Sequence, residues 1–137
     1  MINEKRLLDT FIDYIQIDSE TKNEKAMGER LVSDLEALGL KVHTDKAGEG
    51  FGSNGFNVHA FFEGTLPGDP TIMCAHMDTV VPGNGIKPII EDGVIRTDGS
   101  TILAGDDKSG IADHGSTQSD QGEGAFAQKR GCFVYHR

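Results

Sequence analysis

Ala75-His76-Met77-Asp78-Thr79-Val80 is the stretch on which the fold reading turns. It follows Thr71-Ile72-Met73-Cys74, an apolar run that comes after the turn-forming Leu66-Pro67-Gly68-Asp69-Pro70. A short uninterrupted apolar run predicts a buried strand over 71–75. Its C-terminal end then delivers His76 and Asp78. Residues i and i+2 of a strand share a face, so the two side chains can point the same way. An imidazole that binds a metal through one ring nitrogen needs an acceptor for its other N–H, commonly a carboxylate. His-x-Asp supplies both groups, although alone it is a pattern that chance produces often.

The second stretch is Gly105-Asp106-Asp107-Lys108-Ser109-Gly110. A carboxylate on a glycine-flanked loop can bridge two cations, one on each oxygen. Two metals about 3.5–4 Å apart polarise a carbonyl and generate hydroxide at neutral pH. Asp107 competes for that role. The plain alternative makes Asp106-Asp107 a solvated cap for a helix that starts near Ser109.

Outward from these two stretches the chain alternates between helix and strand signals. Leu7, Phe11 and Ile15, widened by Leu8 and Ile12, predict an amphipathic helix over 4–16. Thr21 with Glu24 fits a capping box, which predicts a second helix starting there. Met27, Leu31, Leu35 and Leu38 line its inner face, and Gly39 is its stop. Lys41 to Thr44 reads as a short strand. Gly50-Phe51-Gly52-Ser53-Asn54-Gly55 is formally the dinucleotide-binding G-x-G-x-x-G, but that site needs a helix after the loop. Phe56 to Phe62 reads as a strand instead, so the loop is a connector. Ile89-Ile90 and Val94-Ile95 around Glu91-Asp92-Gly93 predict a hairpin. Gly110-Ile111-Ala112 leads into a further helix. The pattern is α/β: a mixed sheet flanked by helices.

Composition excludes some functions and permits others. The 137 residues suffice for one domain with a modest core. Net charge is −9, from 22 acidic and 13 basic residues, which disfavours a nucleic-acid partner. The apolar runs are too short to span a bilayer. Met1 to Arg6 lacks the apolar segment of a secretory signal. Cys74 and Cys132 are then expected as free thiols in a cytoplasmic protein, with Cys74 as core filler.

The segments CAHMDTVVPGNGIKPIIEDGVIRTDGSTILAGDDKSGIA and LLDTFIDYIQIDSETKNEKAMGERLVSDLEALGLKV resemble the N-terminal part of peptidase T-like aminopeptidases. These belong to the co-catalytic zinc peptidases that include carboxypeptidase G2-like and dipeptidase-like enzymes. The resemblance covers residues 1–112. It implies an incomplete zinc-peptidase catalytic domain that removes N-terminal residues from short peptides by metal-activated water. It implies two zincs per complete enzyme. His76 matches a zinc ligand, Asp106 the aspartate bridging both metals, and Asp78 the catalytic carboxylate that orients the histidine. No residue resembles an organic-cofactor site. Ala104-Gly105 stands where that branch commonly has Gly-Ala, which leaves the aspartate register in place.

Residues 113–137 depart from the family. The general-base and metal-ligand Glu-Glu pair expected downstream is absent from this chain. Gly115, Gly122, Gly124 and Gly131 interrupt any helical stripe, which predicts an irregular, poorly ordered tail. Codons compatible with Ala112 onward, read one nucleotide later, allow QIMEALKVIKEKELSH and then EVVLFT, a helix followed by a strand. Wobble makes part of that agreement free. A frame slip near Ala112 is the reading adopted, with His114 and His136 as solvated strays. Only two metal ligands then fall in place, against at least three for a stable zinc. A sheet edge left without later strands would favour self-association.

Overall fold

The computed structural model describes residues 3–63, 66–119 and 129–136. In chain order it contains α1 (Glu4–Ile15), α2 (Lys25–Ala37), β1 (Lys41–Thr44), a 3-10 turn (Glu49–Phe51), β2 (Val58–Phe62) and β3 (Leu66–His76). The hairpin β4 (Ile89–Glu91) and β5 (Val94–Arg96), α3 (Gly105–Ser119) and β6 (Lys129–His136) follow. The architecture is α/β, with a four-stranded mixed sheet ordered β1-β2-β6-β3. β2 runs antiparallel to β1 and β6, and β3 runs parallel to β6.

α1 is capped by Asn3, whose side-chain oxygen accepts from the Arg6 N–H at 3.1 Å. It buries Tyr14 and Ile15. α2 buries Met27, Leu31 and Leu35, one stripe at helical spacing. Gly39, at φ +80°, ends it. The Leu40 N–H reaches the Leu35 carbonyl and the Gly39 N–H reaches that of Glu36, the two bonds of a Schellman motif. The start of α2 differs from the capping-box reading. Helix begins at Lys25, and Glu24 caps it without a side-chain hydrogen bond to the helix. Two stronger local partners decide this. The Glu24 carboxylate accepts from the Lys22 N–H and the Ser53 hydroxyl, each at 2.7 Å, and Thr21 donates elsewhere.

One face of the sheet forms the core. Val58, Ala60, Phe62, Ala75 and Tyr135 pack there against Met27, Leu31 and Leu35 of α2, Tyr14 of α1, and Ile111 and Ala112 of α3. The opposite face is open among the described residues: Phe61 is 44% and Ile72 66% exposed. The expectation of a buried 71–75 strand with Cys74 in the core is therefore corrected. Ala75 is buried, but Cys74 is exposed. An uninterrupted apolar run predicts burial on both faces. Among the described residues β3 is instead an edge strand covered on one face, so Ile72 and Cys74 lie outward.

The turn expected at 66–70 is also absorbed into β3, with a register shift between Leu66 and Thr71. Pro67 and Pro70 cannot donate to a ladder, which is tolerated on an edge strand with an irregularity. The β4–β5 hairpin forms as expected, with Asp92 at φ +51° and Gly93 at φ +77°. Positive φ at both central residues is what a two-residue hairpin turn needs.

The segment expected to be irregular holds regular structure in its described parts. The expected boundary at 112/113 lies inside α3, and β6 occupies the sheet between β2 and β3. Backbone pairing on both sides, with Tyr135 filling the core, outweighs the poor side-chain pattern of this stretch. Residues 120–128 lie outside the described residues.

Candidate metal centre

β3 ends at His76, and the chain then turns along the C-terminal edge of the sheet. His76 Nδ1 lies 2.9 Å from the Asp78 carbonyl oxygen and 3.3 Å from Asp78 Oδ1. Its Nε2 lies 3.1 Å from Asp106 Oδ1. The structure thus brings together His76, Asp78 and Asp106. Asp78 sits on the ring's inner nitrogen and Asp106 on its outer one.

Asp106 is 95% exposed at its side chain. It precedes the helical part of α3, with φ −92° and ψ 108°. Asp107, its competitor in the sequence reading, turns back over Gly110, where a side chain at 110 would strike its carboxylate. The glycine makes room for that fold-back, and Asp106 is the residue left facing the histidine.

A cleft of about 360 Å³ opens beside these groups, lined by His76, Asp78, Val80, Leu103, Ala104 and Asp106. Burial pulls the His76 pKa down. The hydrogen bonds and negative charges of Asp106 and Asp78 outweigh it and hold the pKa above its ordinary value. Both ring nitrogens face acceptors, so a cation near Nε2, either a proton or a metal, suits the arrangement.

His76 Nε2 and Asp106 fit a metal as two members of a larger ligand set. Asp78 is engaged with His76 and Thr21. No group of three metal-ligating side chains closes among the described residues. His114 lies beyond the described side chains. His136 is exposed at the end of β6, level with His76 on the neighbouring strand.

Sequence reasoning missed the support behind the histidine. Residues 18–21, between α1 and α2, clasp the loop after β3. The Thr79 N–H donates to the Ser19 carbonyl at 2.9 Å, and the Thr21 N–H to the Thr79 carbonyl at 3.1 Å. The Glu20 carboxylate accepts from the Gly83 N–H and the Asn84 side chain, and Asp18 from the Gly85 N–H. Thr21 Oγ1 donates to Asp78 Oδ2 at 2.8 Å. The linear signal for this is weak, because Thr21 and Asp78 are far apart in the chain.

Lys108, one turn into α3, is fully buried and donates through Nζ to the Ile17 carbonyl at 2.6 Å. It ties the Asp106 loop to the same clasp. Desolvation pushes its pKa down to about 8, with Asp18 pulling the other way. The unfolded chain binds this proton up to the ordinary value of 10.5, so between pH 8 and 10.5 it holds more protons than the folded one. Lysine's contribution to stability is thus lost as pH falls through 8 and regained toward 10.5. Thermal melts from pH 8 to 10 are expected to show the wild type gaining a few degrees relative to Lys108→Met. Tyr14, whose hydroxyl is pushed up by burial and by Asp34, acts in the opposite direction and is common to both proteins. Parallel curves would show that Lys108 is not desolvated.

No protein-family model matches the chain. It is 46% identical over 112 residues to the uncharacterised protein YqjE of Bacillus subtilis strain 168, covering 82% of this chain and 30% of that protein. A tripeptidase from Staphylococcus aureus superposes with a TM-score of 0.93 at 39% identity, over 98% of this chain and 36% of the enzyme. Aminopeptidase PepT from Bacillus cereus superposes at 0.90 and 38% identity, again over 98% of this chain and 36% of the enzyme. An aminoacylhistidine dipeptidase from Vibrio alginolyticus, at 21% identity and a TM-score of 0.69, shares the fold. The chain spans about a third of the length of these relatives.

Proposed function

We propose that this chain, which carries the N-terminal part of the peptidase T-like aminopeptidase fold, contributes half of a zinc site that hydrolyses short peptides of the tripeptide class. The observation that carries the reading is the approach of His76 Nε2 to Asp106 Oδ1 at 3.1 Å, with Asp78 on the other ring nitrogen. Zinc bound there would supply an activated water and a polarised carbonyl. His76 and Asp106 would hold it, and Asp78 would fix the imidazole. Two side-chain ligands fall short of the three that a catalytic zinc takes from its protein. Our reading of the 137-residue chain by itself is therefore an inactive one, and the codon pattern beyond Ala112 supports a frame slip as its origin.

The test is tripeptide hydrolysis in the presence of zinc. It compares the 137-residue chain with the product of the same gene read one nucleotide later from codon 112 onward. Hydrolysis by the second protein alone is the expected result. Equal turnover by both would overturn the inactivity of the short chain. No hydrolysis by either protein would overturn the aminopeptidase reading, and a downstream frame closed by stop codons would overturn the frame slip.

A further inference from the structure

We infer that His43, His59 and Asp45 form a second cation site, on the outer face of the β1–β2 edge, for a late first-row divalent metal such as Ni²⁺, Cu²⁺ or Zn²⁺. It is separate from the His76 centre, because β6 lies between β2 and β3. His43 and His59 are register partners on antiparallel strands. Ala60 is buried and Val42 packs against the core, so the two histidines beside them point to the opposite face. Side chains directly opposite one another on such a pair have Cβ atoms about 4.5–5.5 Å apart. Metal–imidazole bonds are about 2.0–2.1 Å long, so two rings at that spacing can share one ion.

Asp45, just beyond the end of β1, supplies the oxygen. Its Oδ2 lies 3.8 Å from His59 Nε2. That is too long for a hydrogen bond. It is within the span of one ion bonded to both atoms, each bond being about 2.0–2.2 Å. The carboxylate is already oriented: Oδ1 accepts from the Ala47 and Asn57 N–H groups at 3.0 and 2.9 Å, and Oδ2 from Asn57 Nδ2 at 2.8 Å. A single donor on Oδ2 leaves a lone pair for a cation, and donors behind a ligand are the outer shell that a metal site uses. His43 is the side chain that has to move. Its ring stands edge-on to Phe61 with centroids 5.8 Å apart, so the three groups close only after it rotates. His43 and Phe61 are both exposed, and exposed side chains change rotamer in picoseconds to nanoseconds. Two imidazoles with one carboxylate suit these metals rather than Mg²⁺ or Ca²⁺, which prefer oxygen alone.

Ni²⁺ is the probe, because it broadens the NMR signals of nearby nuclei and does not oxidise the exposed Cys74. It is titrated, at a pH where the imidazoles are neutral, into the full chain as wild type and as His76→Ala. The variants His43→Gln, His59→Gln and Asp45→Asn are made in the His76→Ala chain, which removes the other centre. In His76→Ala the ring signals of His43 and His59 are expected to broaden together, ahead of that of His136, and the unfolding midpoint to rise with added Ni²⁺. Loss of either imidazole is expected to weaken binding by more than about tenfold, the least that losing even an outer-shell partner costs, and to remove the rise in midpoint. Without metal, His43→Gln should melt where its parent does, since His43 is exposed, which places the effect at the site. Broadening of His43 and His59 no earlier than His136 would overturn the inference. So would an isotherm that neither histidine substitution changes.

Discussion

Replacing Tyr135 by alanine is expected to destabilise the protein by about 3–5 kcal/mol, the range for deleting a large buried aromatic side chain. Tyr135 is fully buried and belongs to β6, paired with Val58 on one side and Ala75 on the other. Its removal leaves a cavity at the centre of the sheet, where two strands and the helices that cover them meet. A domain of ordinary stability holds about 5–15 kcal/mol, so the loss is about a fifth of the total or more. Urea denaturation should show a lower midpoint with an unchanged slope. The companion variant is Ile72→Ala. Ile72 is on the neighbouring strand but faces outward at 66% exposure, so its change should stay within about 0.5 kcal/mol. If Tyr135→Ala cost no more than Ile72→Ala, β6 would not occupy the middle of the sheet in solution.

That contrast also marks where the sequence could be read and where it could not. The helices were legible because Met27, Leu31 and Leu35 repeat at a helical period and Gly39 stops the run. The hairpin was legible because Asp92-Gly93 suits its turn. All of these are local signals. β3 was misjudged on exposure because an apolar run does not say which neighbours a strand has, and Cys74 faces outward with no covering layer among the described residues. Thr21 was misread because its capping-box spacing is a local pattern, whereas its partner Asp78 arrives from a distant segment. His76, Asp78 and Asp106 were picked out by motif and resemblance. Their mutual geometry needed the fold, and so did the choice between Asp106 and Asp107, which rests on the room over Gly110.

Deleting the His76 side chain is expected to weaken zinc binding by more than about a hundredfold, beyond the range for losing an outer-shell partner. Starting from an incomplete ligand set, the readout is disappearance of a measurable isotherm. Asp106→Ala should do the same. Asp78→Asn, which changes only the group behind the ring, should cost about 10–100-fold. Asp106 is 95% exposed, so at a pH where the imidazole is neutral its loss should leave the unfolding midpoint in place and separate binding from stability. The proton gives an independent check on the same pair. Burial lowers the His76 pKa, while the hydrogen bond and charge of Asp106, with those of Asp78, raise it to a net value above the ordinary one. Stability from that pairing is fully present below the unfolded pKa of 6.5 and is lost as pH rises through the folded value. Asp106→Ala should therefore lower the His76 pKa, and wild-type zinc binding should weaken as acid refills Nε2. Should Asp106→Ala leave both the His76 titration and the zinc isotherm untouched, the two side chains would not share a cation, and the proposed half-site would have no basis in this fold.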